Sequence, residues 1–110
     1  MTGLFDLQID EMSETEARAH VAVSDALKQP LGLVHGGVFA TIADALAVAA
    51  TPDALRALSN QASFLRPVTG GTIHAVARRR HLGRTTAVWE VDVLDDRGRL
   101  CTIVRVTVAR

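Results

Sequence analysis

Val34-His-Gly-Gly-Val-Phe-Ala-Thr-Ile-Ala-Asp-Ala-Leu-Ala-Val-Ala-Ala50, written VHGGVFATIADALAVAA, reads as one helix with an odd start and an odd middle. The helix is expected from about Gly36 to Ala50, and Pro52 enforces its end because proline cannot continue the hydrogen-bond ladder. One carboxylate, Asp44, stands in an otherwise apolar, alanine-rich run. An ionised carboxylate in apolar surroundings is costly unless it is paired. Asp44 is therefore either a structural acid, satisfied by a donor such as Thr41 one turn earlier, or an acid in use. The helix start weighs towards use. Gly36 and Gly37 follow His35, and glycine lets a ligand approach backbone N–H groups that carry the positive end of the helix dipole. Such a site suits the oxygen of a polarised carbonyl.

The stretch thus offers an oxyanion site and a carboxylate, but not within reach of each other. Gly36 and Asp44 are eight positions apart (44 − 36), about 12 Å at helical rise. A water activated by the acid must lie about 3–3.5 Å from the carbon it attacks. Two antiparallel copies of the helix across a two-fold axis would set the start of one beside the middle of the other. The expectation is a homodimer with shared active sites.

Around the helix the pattern is that of strands. Residues 15–23 alternate, with Ala17, Ala19, Val21 and Val23 on one face and Arg18 and His20 on the other. Residues 4–9 suggest a short preceding strand or arm, and residues 24–33, with Pro30 and Gly32, a loop. After the helix come four strand-like stretches, residues 58–65, 72–80, 85–93 and 100–108. The third places Ala87, Trp89, Val91 and Val93 together; the fourth sets Leu100, Val104, Val106 and Val108 against Arg105 and Thr107. Thr69, Gly70 and Gly71 read as a turn, and Asp95-Asp96-Arg97-Gly98 as a hairpin. One strand or two, one long helix and a four-strand meander predict an α+β fold whose antiparallel sheet covers its apolar face with that helix.

Composition narrows the function. A chain of 110 residues with 48% hydrophobic but only 4% aromatic residues suits one domain of closely packed Ala, Val and Leu. The formal net charge of zero argues against a partner that is nucleic acid or anionic membrane. The opening MTGLFDLQIDEMSE lacks the basic and apolar regions of a signal peptide, and the run near residues 38–50 is too short to span a bilayer. A single cysteine, Cys101, allows no internal disulfide and reads as a packed thiol, so a cytoplasmic protein is expected. The histidines at 20, 35, 74 and 81 form no i,i+4 pair, so no metal is expected. No G-x-S-x-G elbow or G-K-[ST] phosphate loop is present. The one basic cluster, residues 77–84, is either a solvated strand end or a site for a small anion such as a nucleotide phosphate.

Gly32-Leu-Val-His35-Gly36-Gly37, Thr41-Ile-Ala-Asp44, Ser63-Phe-Leu-Arg-Pro67 and Gly83-Arg84-Thr85-Thr86 together resemble the hotdog-fold acyl-CoA thioesterases. The resemblance is in particular to the phenylacetate-degradation type (PaaI-like), a group with relatives acting on 4-hydroxybenzoyl-CoA. The resemblance runs over nearly the whole chain and implies one hotdog thioesterase domain over residues 1–110: a curved antiparallel sheet wrapped around a central helix, in two-fold dimers often paired into tetramers. It implies that Asp44 activates water or attacks the thioester carbonyl directly. Gly36 would supply the oxyanion N–H, with His35 beside it as an orienting or polarising residue. Six positions before that histidine, where the family often has Asn, stands Gln29, which keeps the amide and adds a methylene. A strand hydroxyl, Ser59 or Ser63, would hold the water. Gly37, Thr41, Phe64 and Gly83 fall in the substrate-binding motifs, and Arg84 matches the basic residue that meets the coenzyme A phosphates. No cofactor is implied. The alternative is a hotdog domain that binds acyl-CoA without turnover. A hydratase is less well matched, because its Asp–His pairing near the helix is absent.

Overall fold

The computed structural model describes residues 6–110 of the chain. Helix α1 spans Gly36–Ala50, the bounds its local signals dictate. Alanine, the strongest helix former, fills much of it. Ile42, Ala43, Leu46 and Ala47 are fully buried, with Phe39 and Ala50 continuing the stripe at either end. This is the seam that an amphipathic helix lays on a sheet.

Among the described residues six strands surround it: β1 (Gln8–Met12), β2 (Glu16–Ala22), β3 (Arg56–Phe64), β4 (Thr72–Leu82), β5 (Thr86–Leu94) and β6 (Leu100–Ala109). They form one antiparallel sheet in the order β1-β2-β4-β5-β6-β3. Helix α1 packs against β2, β3, β4, β5 and β6, so the sheet curls around it. Its inner face is built by strand alternation: Ala17, Ala19 and Val21 from β2, Ile73, Ala75 and Ala77 from β4, Ala87, Trp89, Val91 and Val93 from β5, all buried.

Four local expectations are corrected. The strands after the helix are not a four-strand meander, because β3 pairs with β6 at the far edge and only β4–β5–β6 run consecutively. The segment after β3 is a crossover past the helix start, held by Val34 N–H to Val68 O at 2.8 Å and Val23 N–H to Gly71 O at 2.9 Å. This places strands on both sides of α1, which a β3–β4 hairpin would not. The first strand lies later than residues 4–9, at Gln8–Met12; residues 4 and 5 fall outside the described part. The loop at residues 24–33 contains a 3-10 turn, Asp25–Leu27. Leu100 is 37% exposed, because a register shift between Val93 and Leu94 skips the buried Cys101, so Leu100 pairs with Leu94 and loses the inward phase of Thr102 and Val104.

A polar chain runs through the core. Trp89 is fully buried, and its indole N–H donates to Thr51 Oγ1 at 2.9 Å. That hydroxyl donates to Ala47 O at 2.7 Å, closing the last turn of α1. Thr51→Val strands a buried N–H, so it should destabilise by about 1–3 kcal/mol. The urea midpoint should fall at an unchanged m-value. Thr102 supplies the contrast: its Oγ1 is buried with no partner among the described residues. Thr102→Val should therefore be neutral or stabilising. Equal losses in the two variants would show that the Trp89–Thr51 bond adds nothing.

Candidate active site

The entrance to α1 is pinned by backbone bonds. His35 N–H donates to Leu27 O at 2.9 Å, and Val38 N–H returns to His35 O at 3.0 Å. His35, exposed, is the residue preceding the helix; its side chain makes no capping bond. Gly36 and Gly37 occupy the first turn, where amides have no intrahelical acceptor. Beside them opens a cleft of about 520 Å³ whose walls include Gln29, His35, Gly36, Phe39, Phe64 and Arg66. Gln29 Oε1 accepts the Leu31 N–H. That bond orients the amide, and no described residue bonds its Nε2 donor. The Phe64 ring lies so close to Gly36 that a Cβ there would fall 2.7 Å from Phe64 Cζ. Phe39 and Phe64 stand 6.4 Å apart, tilted by 45°. Glycine at 36 thus gives access to the amide and room for the ring.

Asp44 lies elsewhere. It is half-buried in a groove of about 660 Å³ along the outer side of α1, with Ile9, Thr41, Ala45, Val48, Ala49 and Ala57. Thr41 is not its partner, because the Thr41 hydroxyl donates back to Gly37 O at 2.7 Å. The partner is Asn60 on β3, whose Nδ2 donates to Asp44 Oδ1 at 2.7 Å and to Ala40 O at 3.0 Å. Both acceptors lie on the helix, so the amide is locked, and no described residue bonds Asp44 Oδ2.

Neither serine reaches this place. A register shift between Ala57 and Ser59 changes the phase of β3. Asn60, Ala62 and Phe64 then stand opposite the inward Val106, Val104 and Thr102, while Ser59 and Ser63 stand opposite Thr107 and Ile103 on the outer face. Both serines are exposed. Sequence reasoning missed Asn60, although it shares the two-residue period of Phe64, which carried the motif.

The basic cluster divides. Arg78 pairs with Asp92 at 3.3 Å, and Glu90 takes both Arg105 at 2.9 Å and Arg80 at 3.6 Å. The Arg105 hydrogen bond, with the Arg80 charge, holds the Glu90 carboxyl below its usual range. Arg84, on the turn between β4 and β5, is exposed and has no ion pair among the described residues. Gly83 shapes that turn through its N–H to Thr86 O at 2.7 Å. Cys101 is buried, and burial pushes its thiol up, away from the reactive thiolate. Native protein should resist thiol alkylation and react fully once unfolded; rapid labelling of the folded chain would count against a packed thiol. Among the described residues no group of three or more His, Cys, Asp or Glu side chains is placed to hold a metal ion. No helix there is long and apolar enough to cross a membrane.

One long helix wrapped by a curved antiparallel sheet, with a glycine-opened amide at its start and an acid at its middle, defines a hotdog-fold thioesterase. Residues 31–102 match the thioesterase superfamily, and the chain belongs to that family and is a thioester hydrolase. It is 29% identical over 115 residues to a 1,4-dihydroxy-2-naphthoyl-CoA hydrolase of Escherichia coli, covering 99% of this chain and 85% of that one. Among solved structures it is similar to a glutamine-to-alanine variant of the Pseudomonas aeruginosa thioesterase PA1618, with a TM-score of 0.87, 31% identity and coverage of 94% and 79%. It is also similar to the PaaI protein of the Escherichia coli phenylacetic acid degradation operon, with a TM-score of 0.84, 25% identity and coverage of 94% and 82%.

Proposed function

We propose that this chain hydrolyses an acyl-CoA thioester in a homodimer, each active site being shared by two subunits. One observation carries the reading: within a chain the Gly36 amide and the Asp44 carboxylate line separate depressions, about 12 Å apart along α1. The outer face of α1 supports it. A surface helix is usually polar outside, yet here Ala45, Val48 and Ala49 share that face with Asp44. An antiparallel copy of α1 laid on this groove would cover the apolar surface and bring each Gly36 to the other subunit's Asp44.

Chemistry follows from the groups assembled. The thioester carbonyl oxygen takes the Gly36 N–H and the Gln29 amide from one subunit, with His35 beside them. Asp44 of the other subunit, its Oδ1 held by Asn60, offers Oδ2 to a water. As the carboxylate takes the proton, the water oxygen bonds to the carbonyl carbon, and charge grows on the oxygen that the fixed donors face. Collapse breaks the C–S bond; the thiolate leaves as coenzyme A, the free acid remains, and Asp44 returns its proton. Direct attack by Asp44, with a later hydrolysis, uses the same groups. Arg84 meets a coenzyme phosphate through its guanidinium. Phe39 and Phe64 in the cleft, with a relative named for a naphthoyl thioester, favour an aromatic acyl group.

The test is release of free thiol over a panel of aryl- and alkyl-CoA thioesters, without added metal and with a chelator. Release from at least one, with aryl substrates ahead, is expected. Acyl-CoA binding with no release above background across the panel would leave a binding domain without turnover.

A further inference from the structure

Arg84 sits on an exposed turn, where a long side chain must be ordered before it can hold a phosphate. The fold supplies a brace for that turn. Register between β5 and β6 pairs Thr86 with Ala109, which brings the next residue, Arg110, alongside Thr85. Arg110 N–H donates to Thr85 O at 2.8 Å. Its guanidinium Nη1 donates to Gly83 O at 2.5 Å, and its Nε to Pro52 O at 3.0 Å. The carbonyls on both sides of Arg84 are thus held by one residue. The same guanidinium ties them to the segment that leaves α1, the helix carrying Asp44.

We infer that Arg110 is a positioning residue: it presents Arg84 to the coenzyme phosphate and fixes that turn relative to the catalytic helix. This rests on the reading of Arg84 given above. Arg110 spends its fork on two backbone carbonyls, a geometry that suits a planar guanidinium and that a lysine ammonium does not reproduce. Its effect should therefore pass through Arg84 and be felt only by substrates that carry the nucleotide.

The experiment is a double-mutant cycle on Arg84→Ala and Arg110→Met, with KM and kcat measured for an acyl-CoA and for the matching acyl-pantetheine thioester. Methionine keeps an apolar stem and removes the donors. Arg110→Met should raise KM for the acyl-CoA roughly three- to tenfold, less than outright loss of a charge-assisted contact, because Arg84 keeps its charge and loses only its ordering. It should leave kcat and the pantetheine KM within about twofold of wild type. In the Arg84→Ala background it should have no further effect. Arg110→Lys, which keeps the charge and loses the fork, should also raise KM. Full rescue by lysine would make Arg110 a plain charge and overturn the proposal. So would an equal KM increase in the Arg84→Ala background, or equal effects on both substrates. An acyl-CoA KM unchanged by Arg84→Ala alone would instead remove the phosphate reading on which the proposal stands. Should Arg110→Met not fold, Arg110→Gln is carried through the same cycle with the same outcomes.

Discussion

Asp44→Asn should lower kcat by about 10² to 10⁴, the range lost when a general base is removed, while substrate binding survives. The structure explains why so small a change would act so strongly. Asn60 donates to Asp44 Oδ1, and the carbonyl of a substituted amide can still accept that bond. The fold is therefore retained. The position of Oδ2, however, becomes an NH₂ group, which donates and cannot take a proton from water. Asn60→Ala separates orientation from basicity: the carboxylate remains but loses its locked partner, so its loss in kcat should be smaller. Single-turnover rates and equilibrium binding of an acyl-CoA report the two effects independently. Undiminished turnover by Asp44→Asn would remove the acid from the chemistry. A variant that neither folds nor binds would make Asp44 a structural residue instead.

The second large effect is a rescue. Asp44→Asn removes the base and Gly36→Pro removes the oxyanion N–H, so each homodimer should be inactive. Proline is well tolerated at the first helical position, and His35 already has φ −59° and ψ 137°, the extended conformation required before a proline. The atoms nearest the new Cβ are those at the outer end of the Phe64 ring, a side chain that is 60% exposed. Gly36→Ala is the control: it displaces the same ring but keeps the N–H, so it should lose far less activity. In a mixed dimer with shared sites, one site carries both lesions and the other carries neither. Co-refolding equal amounts makes half the dimers mixed, each with one intact site, so roughly a quarter of wild-type activity should return. Folding, dimerisation and subunit exchange are verified first by sedimentation and by tagged pull-down. Verified mixed dimers as inactive as their parents would rule out sites shared across the axis.

Local chemistry was enough for much of this molecule. Gly36-Gly37 and Pro52 bound α1 because helix ends depend on neighbouring residues. Ala17, Ala19 and Val21, or Ala87, Trp89, Val91 and Val93, declare their strands because the side-chain period belongs to the strand itself. The separation of Gly36 from Asp44 needed only the helical rise. The motifs around His35, Asp44 and Phe64 were enough to suggest a thioesterase.

What lay beyond the linear chain depends on partners distant in it. The place of β3 at the far edge follows from pairing with β6, which no turn signal near Gly70 encodes. The shift between Ala57 and Ser59 reverses which side chains face the helix, because a single extra residue moves an alternating strand onto its other face. That reversal turns Ser59 and Ser63 outward and delivers Asn60 to Asp44, sixteen positions away. Arg110 reaches Gly83 and Pro52 for the same reason, across twenty-seven and fifty-eight positions. Helix bounds and strand faces are properties of a few adjacent residues; the hydrogen-bond partner of a carboxylate is a property of the register between strands, set only when the whole sheet closes around its helix.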